Sequence, residues 1–365
     1  MEMPNGNAAA HRVRSNSKIF KTLGYDVVFV GVDKTLKEDL YEPRSFDGFL
    51  SFPAKYPENA REWIKSLYGF KHVKFVLDKF PDLKFAVCYN MHAKPLERVL
   101  KYCKKRGVKV IADSTEWYEN KFSLSPIKFI KWLDTKKSMT VLQKKVDGMI
   151  AISKYLYEYY KNSVKNIIQL PPLVDVKESV WQAETSESER VEFVYAGQPG
   201  KDKDKLDLIV SAFNKIGKGY DFHFNVIGVT KEEFLSDYPN KKREVEELGE
   251  KVVFFGRVSH EESVKALIKG DYCVFIREKS RKNAAGFPTK FAECVTSGIG
   301  IIANDVSNIR DYFPLKNSCL LQNADEDSIA SALKDAAERG KIKHEISETF
   351  DYGNYIRDME SLLGE

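Results

Sequence analysis

Long apolar runs and paired cysteines are both missing from this sequence of 365 residues. No run approaches the roughly 18 apolar residues of a membrane-spanning helix, so we expect no segment that crosses a bilayer. The five cysteines are scattered without a Cys-x-x-Cys pair, and each falls in or beside an apolar segment. This pattern predicts buried free thiols rather than disulfides or a zinc site. The first residues contain no basic segment followed by an apolar one, so we expect a cytoplasmic protein without a secretory signal.

Charge is distributed unevenly along the chain. The formal net charge is +5, yet residues 1–170 contain 31 Lys and Arg against 18 Asp and Glu, whereas residues 171–365 contain 27 against 35. A cationic first half is attracted to anionic surfaces such as nucleic acid or a membrane leaflet. Ordinary surface lysine is the alternative, although an excess confined to one half favours a specific role.

Strands and helices are predicted to alternate, which is typical of parallel sheets covered by helices on both faces. In the first half we predict helices over 8–23 and 95–106, and strands over 25–32, 84–89, 108–112, 148–152 and 166–170. In the second half we predict strands over 191–196, 222–227, 252–255, 272–276 and 299–303, and helices over 205–216, 242–248, 261–269, 289–297, 325–339 and 351–363.

The alternation is interrupted once, at Pro171-Pro172 and the polar residues that follow. We therefore predict two Rossmann-like α/β domains that face each other across a cleft, where a ligand is expected. The predicted boundaries are 1–172 for the first domain, 173–190 for a linker, 191–340 for the second domain, and 341–365 for a helical segment that packs back on the first domain. The strand that normally precedes the first helix is missing before Ala8, and we expect the natural start to lie upstream.

The segment from Arg277 to Glu293 has the features of a phosphate site. A basic loop that begins with Arg277 follows a predicted strand, Gly286 permits close approach of the backbone, and a helix opens at Thr289. Free amides at a helix N-terminus, together with nearby cations, bind a diphosphate. Glu293, one turn into the helix, is placed to accept hydrogen bonds from a ribose diol. The alternative is a solvated basic loop followed by a capped helix.

The same segment, Asn283-Ala-Ala-Gly-Phe-Pro-Thr-Lys-Phe-Ala-Glu293, resembles the donor-site signature of retaining glycosyltransferases with the GT-B fold, specifically glycosyltransferase family 4 (glycosyl transferases group 1). Glu293 matches the second glutamate of that signature, and a turn at Gly298 matches its end. The first glutamate falls on Ala285, so the resemblance leaves the identity of the sugar open.

Three further segments widen the resemblance. Phe193–Gly197 with the lysines after it is similar to the first strand and loop of a donor domain, in which a basic residue contacts the donor phosphates. Gly256-Arg257 is similar to the nucleotide base pocket, and Asn5-Gly6-Asn7 to a flexible glycine turn that covers the phosphates. The residues that the resemblance assigns to the donor site are Gly6, Asn7, Gly197, Lys203, Lys205, Gly256, Arg257, Arg277, Asn283, Gly286, Phe287, Thr289, Lys290 and Glu293.

Three residues of the first half are candidates for a catalytic role: His11, His92 and Glu116. His11 lies on a basic helix and is a candidate base, with a simply solvated histidine as the alternative. His92 and Glu116 follow predicted strands, at the edge of a parallel sheet where ligands bind. The carboxylate of Glu116 beside Trp117 and Tyr118 suits sugar recognition; a packed loop is the alternative.

The resemblance implies a metal-independent, retaining hexosyltransferase that needs no cofactor. Its donor would be a UDP- or GDP-sugar, and its acceptor a lipid-linked or polysaccharide glycan of cell-surface synthesis. The stretch 125–145 mixes aromatic residues with lysines, as in an interfacial helix, which favours an anionic membrane at the inner face of the plasma membrane over nucleic acid as the partner. An ordinary amphipathic helix that packs on its own domain is the alternative. A sugar-nucleotide 2-epimerase and a non-catalytic sugar-nucleotide-binding subunit are the alternatives.

Overall fold

A computed structural model of the chain describes residues 8–118, 126–182, 186 and 188–364, without the side chains of residues 126, 127, 201 and 202. The chain divides into two compact units. Unit 1 comprises Met1–Leu173 and Tyr352–Glu365, and unit 2 comprises Val174–Asp351. No helix in the described part of the chain is both long and apolar enough to cross a membrane.

Unit 1 is built on a four-stranded parallel sheet. Its helices are α1 (Ala8–Thr22), α2 (Ala60–Tyr68), α3 (Lys71–Lys79), α4 (Ala93–Arg106), α5 (Pro126–Lys137) and α6 (Lys154–Tyr160), and its strands are β1 (Val28–Phe29), β2 (Val32–Asp33), β3 (Arg44–Phe46), β4 (Phe49–Ser51), β5 (Ala54–Lys55), β6 (Phe85–Tyr89), β7 (Lys109–Ser114), β8 (Gly148–Ala151) and β9 (Asn166–Gln169). The main sheet has the order β6-β7-β8-β9, and smaller sheets join β1-β4-β3 and β2-β5.

The predicted strand 25–32 is observed as two short pieces, β1 and β2, which run parallel to β4 and β5. The hairpin that supplies β3 and β4 was not predicted. It turns at Asp47-Gly48, where both residues have positive φ values of 50° and 75°. An Asp-Gly pair is a strong hairpin signal, but the flanking strands are only three residues each and show little alternation.

Unit 2 contains a six-stranded parallel sheet. Its strands are β10 (Val191–Ala196), β11 (Phe222–Ile227), β12 (Val252–Gly256), β13 (Tyr272–Phe275), β14 (Gly300–Asn304) and β15 (Cys319–Leu321), and its helices are α7 (Gly200–Lys203), α8 (Leu206–Ile216), α9 (Lys231–Asp237), α10 (Lys242–Leu248), α11 (His260–Lys269), α12 (Arg281–Ala285), α13 (Thr289–Ser297) and α14 (Glu326–Arg339). The strand order β12-β11-β10-β13-β14-β15 is that of a Rossmann fold.

Apart from Glu192, His223 and Asn225, the central strands β10 and β11 of unit 2 are apolar, because helices cover both faces of the sheet. All six residues of β10 are buried, and Phe193 packs against Phe213 of α8 and Tyr272 of β13 at ring-centroid distances of 5.1 and 5.5 Å. All five strands predicted in this half agree with the structure to within one residue at either end. The helices α7, α9 and α12 and the strand β15 were not predicted; they span three to seven residues, too few to establish a clear period.

Residues 174–182, which the sequence predicts as part of a linker, lie in unit 2. Trp181 is buried there with Val264 and Ile268 of α11, and its indole Nε1 donates a hydrogen bond to the Asp175 carbonyl at 2.9 Å. A short apolar cluster around one tryptophan is enough to dock this segment although its sequence is mostly polar.

The last helix, α15 (Ile356–Leu363), belongs to unit 1. Met359, Leu362 and Leu363 are buried in one cluster with Ile19 of α1 and Ile150 of β8. The chain thus returns to unit 1 after completing unit 2. All five cysteines are free, and only Cys319 is more than slightly exposed, as the sequence predicts for structural thiols.

Candidate functional site

The sheet of unit 2 has a point at which the strand order reverses. From β10, the chain first adds β11 and β12 on one side and then β13, β14 and β15 on the other. The loops after β10 and β13 therefore begin at neighbouring strands and lead to opposite faces of the sheet. In parallel sheets the crevice at such a point is the usual ligand site.

Three glycines form the edge of the sheet beside this crevice. Gly197 follows β10, Gly228 follows β11 and Gly256 ends β12, with φ values of 136°, 106° and 67°. The amide of Gly197 donates to the Ile227 carbonyl at 2.9 Å, and that of Gly228 to the Gly256 carbonyl at 2.7 Å. A Cβ atom on Gly228 would lie 2.3 Å from the Gly197 carbonyl oxygen. The edge is therefore bare backbone, which a ligand can approach closely.

Arg277 and Lys290 meet at the crevice through one shared carboxylate. Arg277 Nε lies 2.9 Å from Asp204 Oδ1, and Lys290 Nζ lies 2.7 Å from Asp204 Oδ2. The Tyr195 hydroxyl donates to Asp204 Oδ2 at 2.7 Å. Arg277 is 5% exposed, Lys290 8% and Asp204 1%. The sequence placed both cations at the donor site, but it did not reveal the carboxylate that joins them.

This cluster has one positive charge in excess and unused donors. Burial raises the pKa of the Asp204 carboxyl, but Lys290 and Arg277 outweigh burial and hold that pKa well below its usual value. Among the described residues, the Arg277 side chain donates one hydrogen bond, through Nε, and its terminal nitrogens have no acceptor there. Within the same part of the chain, Lys290 donates to Asp204, and its nitrogen lies over the Tyr195 ring, 4.0 Å from its centroid.

The ammonium of Lys290 also lies against the glycine edge. Its nitrogen is 3.2 Å from the position that a Cβ atom on Gly197 would take. The backbone at Arg277 is held by Asn304 at the end of β14: the Arg277 amide donates to Asn304 Oδ1, and Asn304 Nδ2 donates to the Arg277 carbonyl, both at 2.8 Å. Both cations are therefore fixed at the carboxyl edge of the sheet.

The loop between Arg277 and α13 is ordered by its own side chains. Asn283 is 3% exposed, and its amide nitrogen donates to the carbonyls of Glu278 at 2.8 Å and Lys203 at 3.4 Å. Lys205 forms an ion pair with Glu278 at 3.0 Å, whereas Lys203 is exposed. Of the basic residues considered for the phosphates, Lys290 rather than either of these two lies against Gly197.

The remaining predicted donor residues occupy three kinds of position. Glu293 of α13 is 8% exposed, and its Oε1 lies 2.8 Å from His260 Nε2. Phe287 is buried against the rings of Phe291 and Phe350, so it belongs to the core. The others are Gly286 and Thr289, which are half-buried at the start of α13, and Arg257, which is exposed. Gly6 and Asn7 lie outside the described residues.

In unit 1, polar residues collect at the carboxyl ends of β6 and β7. Asn90 Nδ2 donates to Thr115 Oγ1 at 2.6 Å, and the Thr115 amide donates to Asn90 Oδ1 at 3.1 Å. Burial raises the pKa of Tyr89 to about 12, and Thr115 hydrogen-bonds its hydroxyl. Glu116 and Tyr118 are exposed next to this cluster.

His92 lies at the start of α4 and is paired with a carboxylate that sequence reasoning missed. Its Nδ1 is 2.9 Å from Asp134 Oδ2, and Asp134 Oδ1 accepts a hydrogen bond from the Ala93 amide at 3.0 Å. The pairing leaves Nε2 of His92 directed away from Asp134, in a side chain that is 43% exposed. No sequence signal links His92 to Asp134, because 42 residues separate them.

His11 is half-buried in α1. Its neighbour Arg12 is buried and bound to other residues of unit 1. Arg12 is buried in an ion pair with Asp113 at 2.9 Å, and it also donates to the carbonyls of Leu170 and Pro171 at 3.0 Å. Arg12 therefore ties the first helix to the main sheet of unit 1.

Groups of three or more His, Cys, Asp or Glu side chains suited to a metal ion are not found in the described residues. The sequence Asp202-Lys203-Asp204 has the Asp-x-Asp spacing of some metal sites. The Asp204 carboxylate, however, is bonded to two cations, and the side chain of Asp202 lies outside the described residues.

The second unit matches a known family. Residues 190–339 match the sequence profile of the family described as glycosyl transferases group 1. No curated protein matches the whole sequence at a significant level.

Solved structures match over almost the whole chain. Sucrose-phosphate synthase from Thermosynechococcus elongatus superposes with a TM-score of 0.67 at 13% identity, over 96% of this chain and 91% of that one. A glycosyltransferase from Rickettsia africae gives 0.63 at 12% identity, over 100% and 92%. An Anabaena protein solved with UDP and glucose gives 0.57 at 11% identity, over 86% of each chain.

These similarities define a class. The chain has the GT-B fold of two Rossmann-like domains, as the sequence predicts. Residues 190–339, which lie in its second unit, match the group 1 glycosyltransferase family, so the predicted resemblance to that family and the predicted class of enzyme, a glycosyltransferase, are confirmed.

Proposed function

We propose that the chain transfers a hexose from a nucleoside-diphosphate sugar, with UDP or GDP as the leaving group, to a lipid-linked or polysaccharide acceptor. The observation that carries the proposal is the pair of buried cations, Arg277 and Lys290, which share the single carboxylate of Asp204 and so keep one positive charge in excess. A buried positive charge without a counter-ion is costly, and a bound anion removes that cost. A diphosphate at the switch point of the sheet supplies both the charge and the acceptor oxygens.

In this proposal the enzyme acts mainly on the leaving group. The bond from the sugar C1 to the diphosphate oxygen breaks, and a bond from C1 to the acceptor hydroxyl oxygen forms on the same face of the ring. The hydroxyl proton passes to the departing phosphate. Arg277, Lys290 and the first amides of α13 stabilise the charge that grows on the diphosphate, and such electrostatic stabilisation is usually the largest single contribution to catalysis. Glu293 accepts hydrogen bonds from the ribose, and Gly256 with Arg257 borders the base.

The acceptor is assigned to the polar edge of unit 1. Glu116, Asn90 and Thr115 offer carboxylate, amide and hydroxyl groups at the ends of adjacent parallel strands, where sugar hydroxyls are bound in such folds. His92, oriented by Asp134, offers one ring nitrogen to an acceptor hydroxyl.

A lipid-linked acceptor is supported by one surface of unit 1, formed by α2, α4 and α5, which we call the basic surface. On α4, Lys94, Lys101 and Lys105 are exposed on one side, seven and four residues apart, opposite the buried Val99 and Cys103. The flanking helices adjoin α4 through a hydrogen bond from Arg98 to the Tyr68 carbonyl and an ion pair of Lys137 with Glu97 at 3.0 Å.

Both flanking helices of the basic surface expose large apolar side chains. Helix α2 has no buried residue, and Trp63 and Tyr68 are each 42% exposed. In α5, Phe129 and Leu133 are exposed among Lys128, Lys131 and Lys136. Aromatic residues interleaved with lysines are typical of a surface that rests on an anionic leaflet. We therefore place the protein at the inner face of the plasma membrane.

A vesicle sedimentation assay tests whether the basic surface binds an anionic membrane. Wild-type protein is expected to sediment with vesicles that contain phosphatidylglycerol and to remain in solution with phosphatidylcholine alone. The triple variant K94E/K101E/K105E should lose sedimentation, whereas Lys334→Glu on α14 should not. Equal sedimentation with both lipids, or an unaffected triple variant, contradicts the membrane proposal and leaves the donor site untouched.

Turnover separates transfer from the two alternatives. Purified protein is incubated with a panel of UDP- and GDP-sugars, with and without a membrane lipid extract. Release of nucleoside diphosphate that depends on the extract supports transfer. Isomerised donor without acceptor indicates a 2-epimerase, and binding without turnover indicates a non-catalytic subunit, the reading that Ala285 in place of a glutamate favours. Failure of every UDP- and GDP-sugar to raise the melting temperature contradicts donor binding altogether.

A further inference from the structure

We propose that Asp204 is a positioning residue that acts as the internal counter-ion of the donor site and holds Lys290 and Arg277 where the diphosphate binds. The proposal rests on the proposed function, because it concerns the same anion site. Asp204 itself is 1% exposed, and the described side chains that its carboxylate contacts are those of Lys290, Arg277 and Tyr195. It therefore acts through its neighbours.

The backbone fixes the position of this carboxylate. Asp204 forms an isolated antiparallel bridge with Arg277. The amide of the next residue, Lys205, donates to the Ile276 carbonyl at 2.7 Å, and the Asp204 amide donates to the Pro199 carbonyl at 3.1 Å. Backbone hydrogen bonds at Asp204 and Lys205 therefore join the loops after β10 and β13. The carboxylate of Asp204 in turn fixes the positions of Arg277 and Lys290.

The Asp204 carboxylate repels an anionic ligand such as a diphosphate. Its presence in the site must therefore bring another benefit. Without Asp204, two cations would be buried side by side with no anion whenever the donor is absent, and burial and like charge would both oppose them. With Asp204, one positive charge remains in excess, which is enough to attract a diphosphate. The carboxylate thus lowers the cost of the empty site while keeping both cations oriented.

Replacing Asp204 with asparagine should make donor binding depend on pH. The ionisable groups that face the carboxylate are Tyr195 from β10, Arg277 after β13 and Lys290 from α13, with Cys273 of β13 near the Tyr195 hydroxyl. In Asp204→Asn, Lys290 is buried beside Arg277 without an anion, which favours its neutral amine as the pH rises. Nucleotide sugars carry a doubly substituted diphosphate, which does not titrate between pH 6 and 9. A difference in pH dependence between Asp204→Asn and the wild type, measured with the same ligand, then reports on the protein.

The experiment measures the affinity of the full chain for UDP-glucose and for GDP-mannose by calorimetry at pH 6, 7, 8 and 9. Wild-type affinity for the donor that binds is expected to change less with pH over this range than the affinity of Asp204→Asn. Asp204→Asn is expected to bind about 10- to 100-fold more weakly at pH 8, the loss typical of a charge-assisted contact, and to recover part of this at pH 6. Asp327→Asn, which removes an exposed partner of Lys215, is the matched control and should behave as wild type.

Equal or tighter binding by Asp204→Asn at every pH overturns the positioning role, and so does weaker binding that is independent of pH. If neither sugar nucleotide binds the wild type, the proposed function fails instead, and the two failures are therefore distinct. If Asp204→Asn does not fold, the double variant D204N/K290Q is expected to fold, because it leaves no buried ammonium without an anion. A double variant no more stable than the single one contradicts the proposal.

Discussion

The Asp204 carboxylate lies 2.7 Å from the Lys290 ammonium, although 86 residues separate them in the sequence. The first follows β10 and the second opens α13, and they meet only because β10 and β13 are neighbours in the sheet. This contact joins the basic loop after β10 and the basic segment Arg277–Glu293 into one site with an excess of one positive charge.

Lys290→Met should weaken nucleotide-sugar binding by about 10- to 100-fold, since one charge-assisted contact to a phosphate is lost. It should also leave Asp204 with Arg277 as its one cationic partner, so the variant is expected to stay folded. Lys334→Met, on the exposed side of α14, is the control and should bind normally. Unchanged affinity in isothermal titration would remove Lys290 from the donor site.

Gly228→Ala should destabilise unit 2 by about 2 kcal/mol or more, because the new methyl group would lie 2.3 Å from the Gly197 carbonyl oxygen and the edge of the sheet must move. Donor binding should fall with it. Gly107→Ala also has a positive φ, of 70°, but meets nothing within 4 Å, and its cost is expected to be about 1 kcal/mol with donor affinity intact. If urea titration gives the same loss in the free energy of unfolding for Gly228→Ala and Gly107→Ala, crowding at Gly228 is unimportant.

Stability in acid should depend on Asp204. Its pKa is lowered in the folded protein, so the unfolded chain binds more protons as the pH falls below about 4, the ordinary value for a free aspartate. The contribution to the free energy of unfolding is fully present above that pH and is lost as the pH falls toward the folded-state value. Wild type should therefore lose stability more steeply than Asp204→Asn between pH 4 and 2. Parallel acid-unfolding curves would contradict a lowered pKa.

Arg12→Met should cost about 3–5 kcal/mol, because the Asp113 carboxylate would remain buried without its partner. Much of this loss should return in R12M/D113L, which removes both charges. Arg14→Met, two residues away and paired with Asp47 near the surface, should change the free energy of unfolding by less than about 1 kcal/mol. Denaturant titration followed by circular dichroism measures all three. A small effect of Arg12→Met alone would show that this pair does not anchor α1.

Most of the second unit is predictable from sequence. Its strands are rich in apolar residues, because helices cover both faces of the parallel sheet and bury most positions of the central strands, and glycines mark where helices end. The donor motif from Arg277 to Glu293 follows for the same reason: its loop and helix are contiguous in the chain. In the first unit, the short strands of the hairpin at Asp47-Gly48 escaped prediction because three residues do not establish a period.

The partners of the charged residues did not follow from sequence. Asp204 stands between lysines that drew attention as phosphate ligands, and nothing local distinguishes it from a surface aspartate. His92 and Asp134, and likewise Glu293 and His260, are joined across 42 and 33 residues. Phe287, expected at the donor, proved to be part of an aromatic core.

By itself, the sequence of this protein determined the alternation of strands and helices, the class of fold and the basic motif at Arg277–Glu293, because each depends on residues that are close in the chain. Only the tertiary structure decided which lysine lies at the glycine edge and which carboxylate holds it. Electrostatic interactions act between side chains a few ångströms apart whatever their separation in sequence, and the order of strands in the sheet sets those distances.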